Sequence, residues 1–508
     1  MNGITAGLLT TATACLLAGC QHVSPKTVPV AGPYRFTQAE QALMSAHLDG
    51  RERPRLGLAI SGGGVRSSLY NFGVLKALYD DGVLDDVDLV SSVSGGSYLT
   101  YWLYSEQLKN PGQAFGAPVF APENFNQRLC EFSARSNFVP VKKMAWTLAL
   151  QSVNWNAGRS LYERRMRWTF GQADSATDPV RLQDLQPLMR DHGHPYLVMN
   201  ATTFGRRFKA EPPSHRVFEM TPLHYGSLGD TMPWDDERTD QARLIQAALA
   251  SGAAISPLKR RFYRPFQSFA PSEYAYLWDG GKSENLGAVA SLRRGASAVV
   301  IIDAQFDGRG EAFSAYDNLQ ALMATLKDRV ALDRGAEHVR NGVYPGTATG
   351  PELDAQLVYV KMERPARVME AFVDFPGNRT AAANAEHDEW WKAYEAFDQA
   401  RGAYANGEWA CNKAAAGREP DVEDLMRFNL AAYLAWADGN TPYRRAIRKD
   451  YPLIGSAVTH AFPRTTTVDQ SMYIDQSLAY IALGYLTASG QVRAMLEQQR
   501  PGLLAARE

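Results

Sequence analysis

From Leu56 onward the chain alternates short apolar runs with longer stretches in which apolar residues recur at helical spacing. "LGLAI" (56–60) is followed by "LYNFGVLKALYDDG" (69–82), and "DLVSSV" (88–93) by "YLTYWLYSEQL" (98–108). Short apolar runs without polar alternation are what strands look like when helices cover both faces of a sheet. The pattern therefore predicts an α/β fold, with a central mostly parallel sheet flanked by helices. Further strands are expected at 195–204, 274–278, 298–303 and 356–362. Residues 110–190 interrupt the rhythm as an insertion, and from about 380 helical spacing takes over. No repeat of fixed period is evident.

The first 54 residues read differently. "MNGITAGLLTTATACLLAGC" (1–20) carries no charged side chain and has the length of the apolar region of a secretory signal, too short to span a bilayer comfortably. Pro25, Pro29, Pro33 and Pro54 then punctuate a segment with a short helical pattern at 38–48, as in a tether. The expected organisation is a signal peptide at 1–19, a tether at 20–54, an α/β domain at 55–310 with the insertion at 110–190, and a mainly helical region at 311–508.

Composition narrows the function classes. With 508 residues, 45% of them hydrophobic, the chain can bury a large core. A formal net charge of −1 provides no basic field, so no nucleic-acid partner is expected. The four cysteines, Cys15, Cys20, Cys130 and Cys411, lack the spacing of a metal site, and no metal or cofactor is expected. Cys130 and Cys411 could form one disulfide or remain two buried thiols.

Chemistry enters at two strand ends. The first apolar run stops in Gly62-Gly63-Gly64, with Arg66 close behind. Ser67 stands where a dinucleotide fingerprint wants its last glycine, and the Gly-Lys-Ser/Thr ending of a P-loop is missing. Bare backbone N–H groups there suit a developing oxyanion instead. The second run ends in Ser92-Val93-Ser94-Gly95-Gly96-Ser97, a small-x-Ser-x-Gly turn between a strand and a helix. This is the context of a nucleophile elbow, with Ser92 in place of the usual first glycine.

These residues resemble the patatin-like acylhydrolases, and within them the cytosolic phospholipase A-type branch. The family's GGGxR element falls on Gly62, Gly63, Gly64 and Arg66, and its nucleophile on Ser94. Its Asp-Gly-Gly element falls on Asp279-Gly280-Gly281 in "LWDGGKSENLG", with Asn285 where the family often has Asn and without the proline that usually follows. "NATTFG" (200–205) and "ASGAAISP" (250–257) also look alike. The resemblance implies a patatin-like three-layer fold and a Ser94–Asp279 dyad with an oxyanion hole at Gly62, Gly63 and Gly64. It further implies Arg66 near the substrate head group, and phospholipids or lysophospholipids as substrates. Separately, Leu17-Ala18-Gly19-Cys20 resembles the lipobox of bacterial lipoproteins, although the leader lacks Lys and Arg. That resemblance implies lipid on Cys20 and attachment to a membrane, with Gln21 compatible with the outer membrane.

Rival readings remain at this stage. A Ser-His-Asp hydrolase could use Asp303 or Asp307 with His338, His387 or His460, and a lipoprotein could hold lipid in the same pocket without catalysis. In the insertion, "FVPVKKMAWTLALQSVNW" (138–155) could lie on a bilayer or pack in the core, and Lys259, Arg260, Arg261 and Arg264 read as a solvated loop.

Overall fold

The computed structural model describes residues 35–135, 137–139, 163–164, 166–171, 179–204, 217–227, 230–234, 243–252, 260–263, 274–305, 313–335, 342–362, 422–423, 426, 430, 470–472 and 474–505. Cys20, Asp307, His338, His387, His460, Cys411, Lys259, Arg264 and the segment 140–155 lie outside them.

The strands are β1 (Leu56–Ile60), β2 (Val87–Val93), β3 (Asn137–Val139), β4 (Tyr196–Phe204), β5 (Val217–Met220), β6 (His224–Ser227) and β7 (Asp230–Pro233), followed by β8 (Arg260–Tyr263), β9 (Tyr274–Asp279), β10 (Ala298–Asp303), β11 (Arg329–Leu332), β12 (Val343–Thr349), β13 (Asp354–Lys361) and β14 (Gln470–Ser471). The main sheet runs β11-β12-β13-β10-β1-β2-β4-β5-β6-β7, and β9 pairs with both β4 and β8. Its centre, β13-β10-β1-β2-β4, is parallel, and the strands on either side are antiparallel. Arg260 and Arg261, read from sequence as loop, lie in β8 and pair with β9.

Alternation along the strands sorts the core into two layers, since successive side chains leave a strand on opposite faces. Leu56, Leu58 and Ile60 of β1, with Ala298, Val300 and Ile302 of β10, join one cluster. Ala59, Val299 and Ile301 join the other. The helices Gly64–Asp80, Gly95–Lys109 and Ile474–Ala488 supply the first layer, and Ala288–Arg293 and Ser314–Thr325 the second. A three-layer fold follows. The C-terminal helix Ile474–Ala488 is part of it, packed lengthwise on Gly64–Asp80 with Gly73 and Gly484 at the crossing.

Part of the segment read as a tether is built into this core. Phe36, Met44 and Leu48 are buried. Thr37 and Glu40 form a reciprocal capping box at the start of the helix Gln38–Leu43. Arg294 then donates to Glu40 Oε1 at 2.8 Å and to Glu219 Oε2 at 2.9 Å, a buried ion triad joining three distant parts of the chain. In the insertion, β3 pairs with β14, so the two regions outside the regular βαβ rhythm meet each other.

Candidate active site

Strand β4 assembles the site. β2 runs parallel to it and stops at Val93, opposite Asn200, while β9 runs antiparallel and stops at Asp279, opposite Ala201. Because β5 occupies the other edge of β4 at Met199–Thr202, β2 and β9 must lie along the same edge, end to end. Their C-terminal ends therefore face each other across one residue step of β4. Asp279 reaches the Ser94 turn from a strand that runs opposite to β2.

Ser94 is the first residue past β2 and the N-cap of the 15-residue helix Gly95–Lys109. Its backbone has φ 49° and ψ −116°, a positive φ that non-glycine residues rarely adopt. Strain of this kind costs about 1–3 kcal/mol and persists only where the surroundings enforce it. Gly95 and Gly96 enforce it by close packing. A Cβ on Gly95 would fall 2.0 Å from the carbonyl oxygen of Gly64, and one on Gly96 2.6 Å from that of Ile60.

The Ser94 hydroxyl donates to Asp279 Oδ2 at 2.7 Å, and the other carboxylate oxygen accepts from the Gly281 amide at 2.8 Å. Both residues are buried, with Ser94 5% and Asp279 8% exposed. Burial raises the Asp279 carboxyl above its ordinary value, and this outweighs the opposing pull of Ser94, the Gly281 amide and Lys282. A base so raised is better matched to a hydroxyl proton than an exposed aspartate.

The three loop glycines have separate tasks. The Gly62 amide donates to the Asn285 carbonyl at 2.9 Å and is already engaged. Gly62 instead makes room: a Cβ there would lie 2.4 Å from Asn285 Oδ1 and 3.0 Å from Ser94 Cβ. Gly63 (φ 142°) and Gly64 (φ 65°) turn the chain into the helix Gly64–Asp80 at its N-cap and first position. Helix geometry leaves the first N–H groups of a helix without intrahelical acceptors, and these two amides stand at that position. Arg66 is 5% exposed in the first turn of that helix, and its guanidinium lies back toward Gly63.

Sequence reasoning named Asn285 without a task and missed Ser251. The Asn285 side chain fits between Gly62 and Gly281, 2.5 Å from where a Cβ on Gly281 would stand. Ser251, at the end of the helix Leu244–Ser251, accepts a hydrogen bond from the Ser94 amide at 2.7 Å. The only hint was that "ASGAAISP" looked familiar as a block. Asp303, considered above as part of a triad, accepts from Tyr359 Oη at 2.6 Å and Lys361 Nζ at 3.0 Å. Among the described residues, no cluster of three or more His, Cys, Asp or Glu side chains is placed to hold a metal ion.

A family profile described as "Patatin-like phospholipase" matches residues 58–291, from within β1 to the helix after the Asp279 loop. Residues 58–291 belong to the patatin-like phospholipase family. This patatin-like region contains Gly62, Ser94, Asn200, Ser251, Asp279 and Asn285, the residues whose contacts were just described. A curated relative, "Probable lysophospholipase 3" of Schizosaccharomyces pombe, is 26% identical over 200 residues, which are 36% of this chain and 28% of that protein. The chain thus matches under a third of that relative's length. Among solved structures, human GIVD cytosolic phospholipase A2 aligns over 94% of this chain and 69% of its own, with a TM-score of 0.53 at 11% identity. The same human enzyme in complex with methyl gamma-linolenyl fluorophosphonate aligns over 94% and 65%, with a TM-score of 0.50 at 12% identity. At such identities the likeness is one of fold. It extends past residues 58–291, since 94% of the chain aligns.

Proposed function

We propose that the protein hydrolyses acyl ester bonds of phospholipids or lysophospholipids with Ser94 as nucleophile and Asp279 as base. The observation that carries this reading is the 2.7 Å hydrogen bond from Ser94 Oγ to Asp279 Oδ2, made by a serine with positive φ at a helix N-terminus. Asp279 takes the hydroxyl proton as Oγ bonds to the acyl carbon. The Gly63 and Gly64 amides, with the positive end of the Gly64–Asp80 helix, receive the charge that develops on the carbonyl oxygen. Collapse releases the alcohol, which takes the proton back from Asp279, and a water activated by the same carboxylate then cleaves the acyl-enzyme. Arg66 places a fixed cation beside the loop where a phosphodiester would lie. The test is turnover of a chromogenic acyl ester, with a lipid panel analysed by mass for its products. A folded Ser94→Ala variant that still turns over at the wild-type rate overturns the reading.

The same reading extends to location. Lipid on Cys20 would hold the catalytic domain at a bacterial outer membrane, beside its substrate. It is supported by the uncharged apolar leader ending in Leu17-Ala18-Gly19-Cys20 and by the disulfide at Cys130, a bond that persists in oxidising compartments. One acyl chain binds reversibly, whereas several on one cysteine anchor stably. Intact mass and fractionation of wild type and Cys20→Ser decide it. A wild type without added acyl mass removes the anchor.

A further inference from the structure

The N–H of Ser94 lies in a buried layer, where an unmet donor would cost about 1–3 kcal/mol. Ser251 Oγ meets it at 2.7 Å. The same oxygen donates its one proton to the Asn200 carbonyl at 2.5 Å and lies 2.8 Å from Ser97 Oγ. A hydroxyl has one donor and two acceptor positions, and here all three are filled. Because the Ser251 proton is committed to Asn200, its lone pairs face the Ser94 amide and the Ser97 hydroxyl. Asn200 is itself fixed, its side-chain amide donating to Ser91 Oγ at 2.8 Å and to the Ser92 carbonyl at 3.0 Å. Ser251 is 0% exposed and its helix lies inside the core. The chain Ser94 N–H to Ser251 Oγ–H to Asn200 C=O therefore ties the nucleophile's backbone to β4, the strand that also pairs with Asp279's strand.

We infer that Ser251 is a positioning residue, which holds Ser94 in its positive-φ conformation so that Oγ stays aimed at Asp279. The inference rests on the reading of Ser94 as nucleophile. Two consequences follow. The Ser94 amide is unavailable to an oxyanion, which leaves that task to the glycine loop. Catalysis should also depend on acceptor strength at position 251 rather than on stability alone.

The experiment compares Ser251→Ala, Ser251→Cys and Ser251→Thr with wild type, using a soluble p-nitrophenyl ester for kcat and KM. Phosphonylation of Ser94 by an alkyl fluorophosphonate, in which the P–Oγ bond forms as fluoride leaves, gives a second rate independent of deacylation. Misplacement of a reacting atom by about 1 Å can cost about 10²-fold. Ser251→Ala should lower kcat and the phosphonylation rate by a factor of about 10–100, with KM within about threefold. Ser251→Cys, nearly isosteric but a weak acceptor, should fall between, and Ser251→Thr, which keeps the hydroxyl, should stand highest of the three. The acid limb of the pH profile should not move, since Ser251 touches the amide and not the carboxylate. Thr100→Val, which removes another buried hydroxyl of this layer, controls for stability and should retain turnover. Full turnover in a folded Ala or Cys variant, or rates that track thermal stability instead of acceptor strength, overturn the inference. If the wild type is not phosphonylated at Ser94, the nucleophile assignment falls and this inference with it. If it is, and the series shows no order, only Ser251 loses its role.

Discussion

Gly484 lies against Tyr70 backbone to backbone: a Cβ on Gly484 would stand 2.1 Å from the Tyr70 carbonyl oxygen, and one on Gly73 1.8 Å from that of Ile481. The helix Ile474–Ala488 can approach the helix Gly64–Asp80 this closely only because both crossing residues lack side chains. The second of these helices begins at the Gly62–Gly64 loop, so the helix Ile474–Ala488 buttresses the layer that carries this loop and Ser94. Gly484→Ala should therefore destabilise the protein. The overpacking cost of about 1–3 kcal/mol exceeds the gain of up to about 1 kcal/mol from alanine's helix propensity. Urea unfolding checks it, and an unchanged or higher midpoint would show that the helices are not in contact at these glycines.

Ser94→Ala and Asp279→Asn should each abolish ester hydrolysis while leaving the folded state intact. Replacing His338, His387 or His460 singly should keep activity within a few fold, because the dyad puts no imidazole in the proton path. The described structure favours this pattern on one further ground. Asp303, one of the two acids a triad could use, is held by Tyr359 and Lys361. A histidine as essential as Ser94 would replace the dyad with a triad.

How far the site was legible in the sequence depends on the range of the interaction. Leu56–Ile60 and Val87–Val93 announced themselves as buried strands, and the small residues around Ser94 announced the turn, because each constraint acts within a few residues. The direction of β9 was not legible. "YAYLW" has the same apolar character whether it pairs parallel or antiparallel, and its partner β4 lies some 70 residues earlier. Ser251 was equally hidden, since it meets the Ser94 amide across 157 residues and a serine closing a short helix looks like a cap. Glu40 sat in what read as a tether. Its partner Arg294 is 254 residues away, and nothing local marks a carboxylate that will be buried.

That triad gives a stability prediction. Removing one partner from a buried ion cluster leaves the rest uncompensated, at a cost of about 3–5 kcal/mol. Arg294→Ala takes the nearest cation from two buried carboxylates, Glu40 and Glu219, whose other basic neighbours stand farther off, His224 at 3.5 Å and Arg293 at 3.9 Å, and should cost that much. Glu40→Gln leaves Arg294 paired with Glu219 and should cost less. Denaturant unfolding at neutral pH checks the order, and equal losses would mean that Glu40 carries the cluster alone.

The raised Asp279 carboxyl fixes the sign of a pH effect on rate. Only the carboxylate accepts the Ser94 proton, so kcat/KM should fall as pH drops through a pKa above that of an ordinary aspartate. Lys282 opposes the rise through its charge. Lys282→Met should therefore move the acid limb to higher pH. A limb that stays in place, or moves down, would show that another group controls it.

Glu284 supplies a separate pH effect, on stability. Its carboxylate accepts from the Leu286 amide at 2.6 Å in the loop that carries Asn285, and burial pushes its pKa up to about 7 despite this and the neighbouring amide bonds. The unfolded chain would titrate near 4.5, the ordinary value. Between those two values the native state binds more protons than the unfolded one, so stability falls as pH rises through the window and levels off above about 7. This is the reverse of an ion-paired carboxylate. Glu284→Gln cannot ionise and should lose stability at pH 5, where the wild-type side chain is neutral and well bonded. Its deficit should shrink at pH 8, where the wild type must hold a buried charge. Unfolding free energies of both proteins at the two pH values test this, and a deficit that grows with pH would mean that the amides of the loop hold Glu284 ionised throughout.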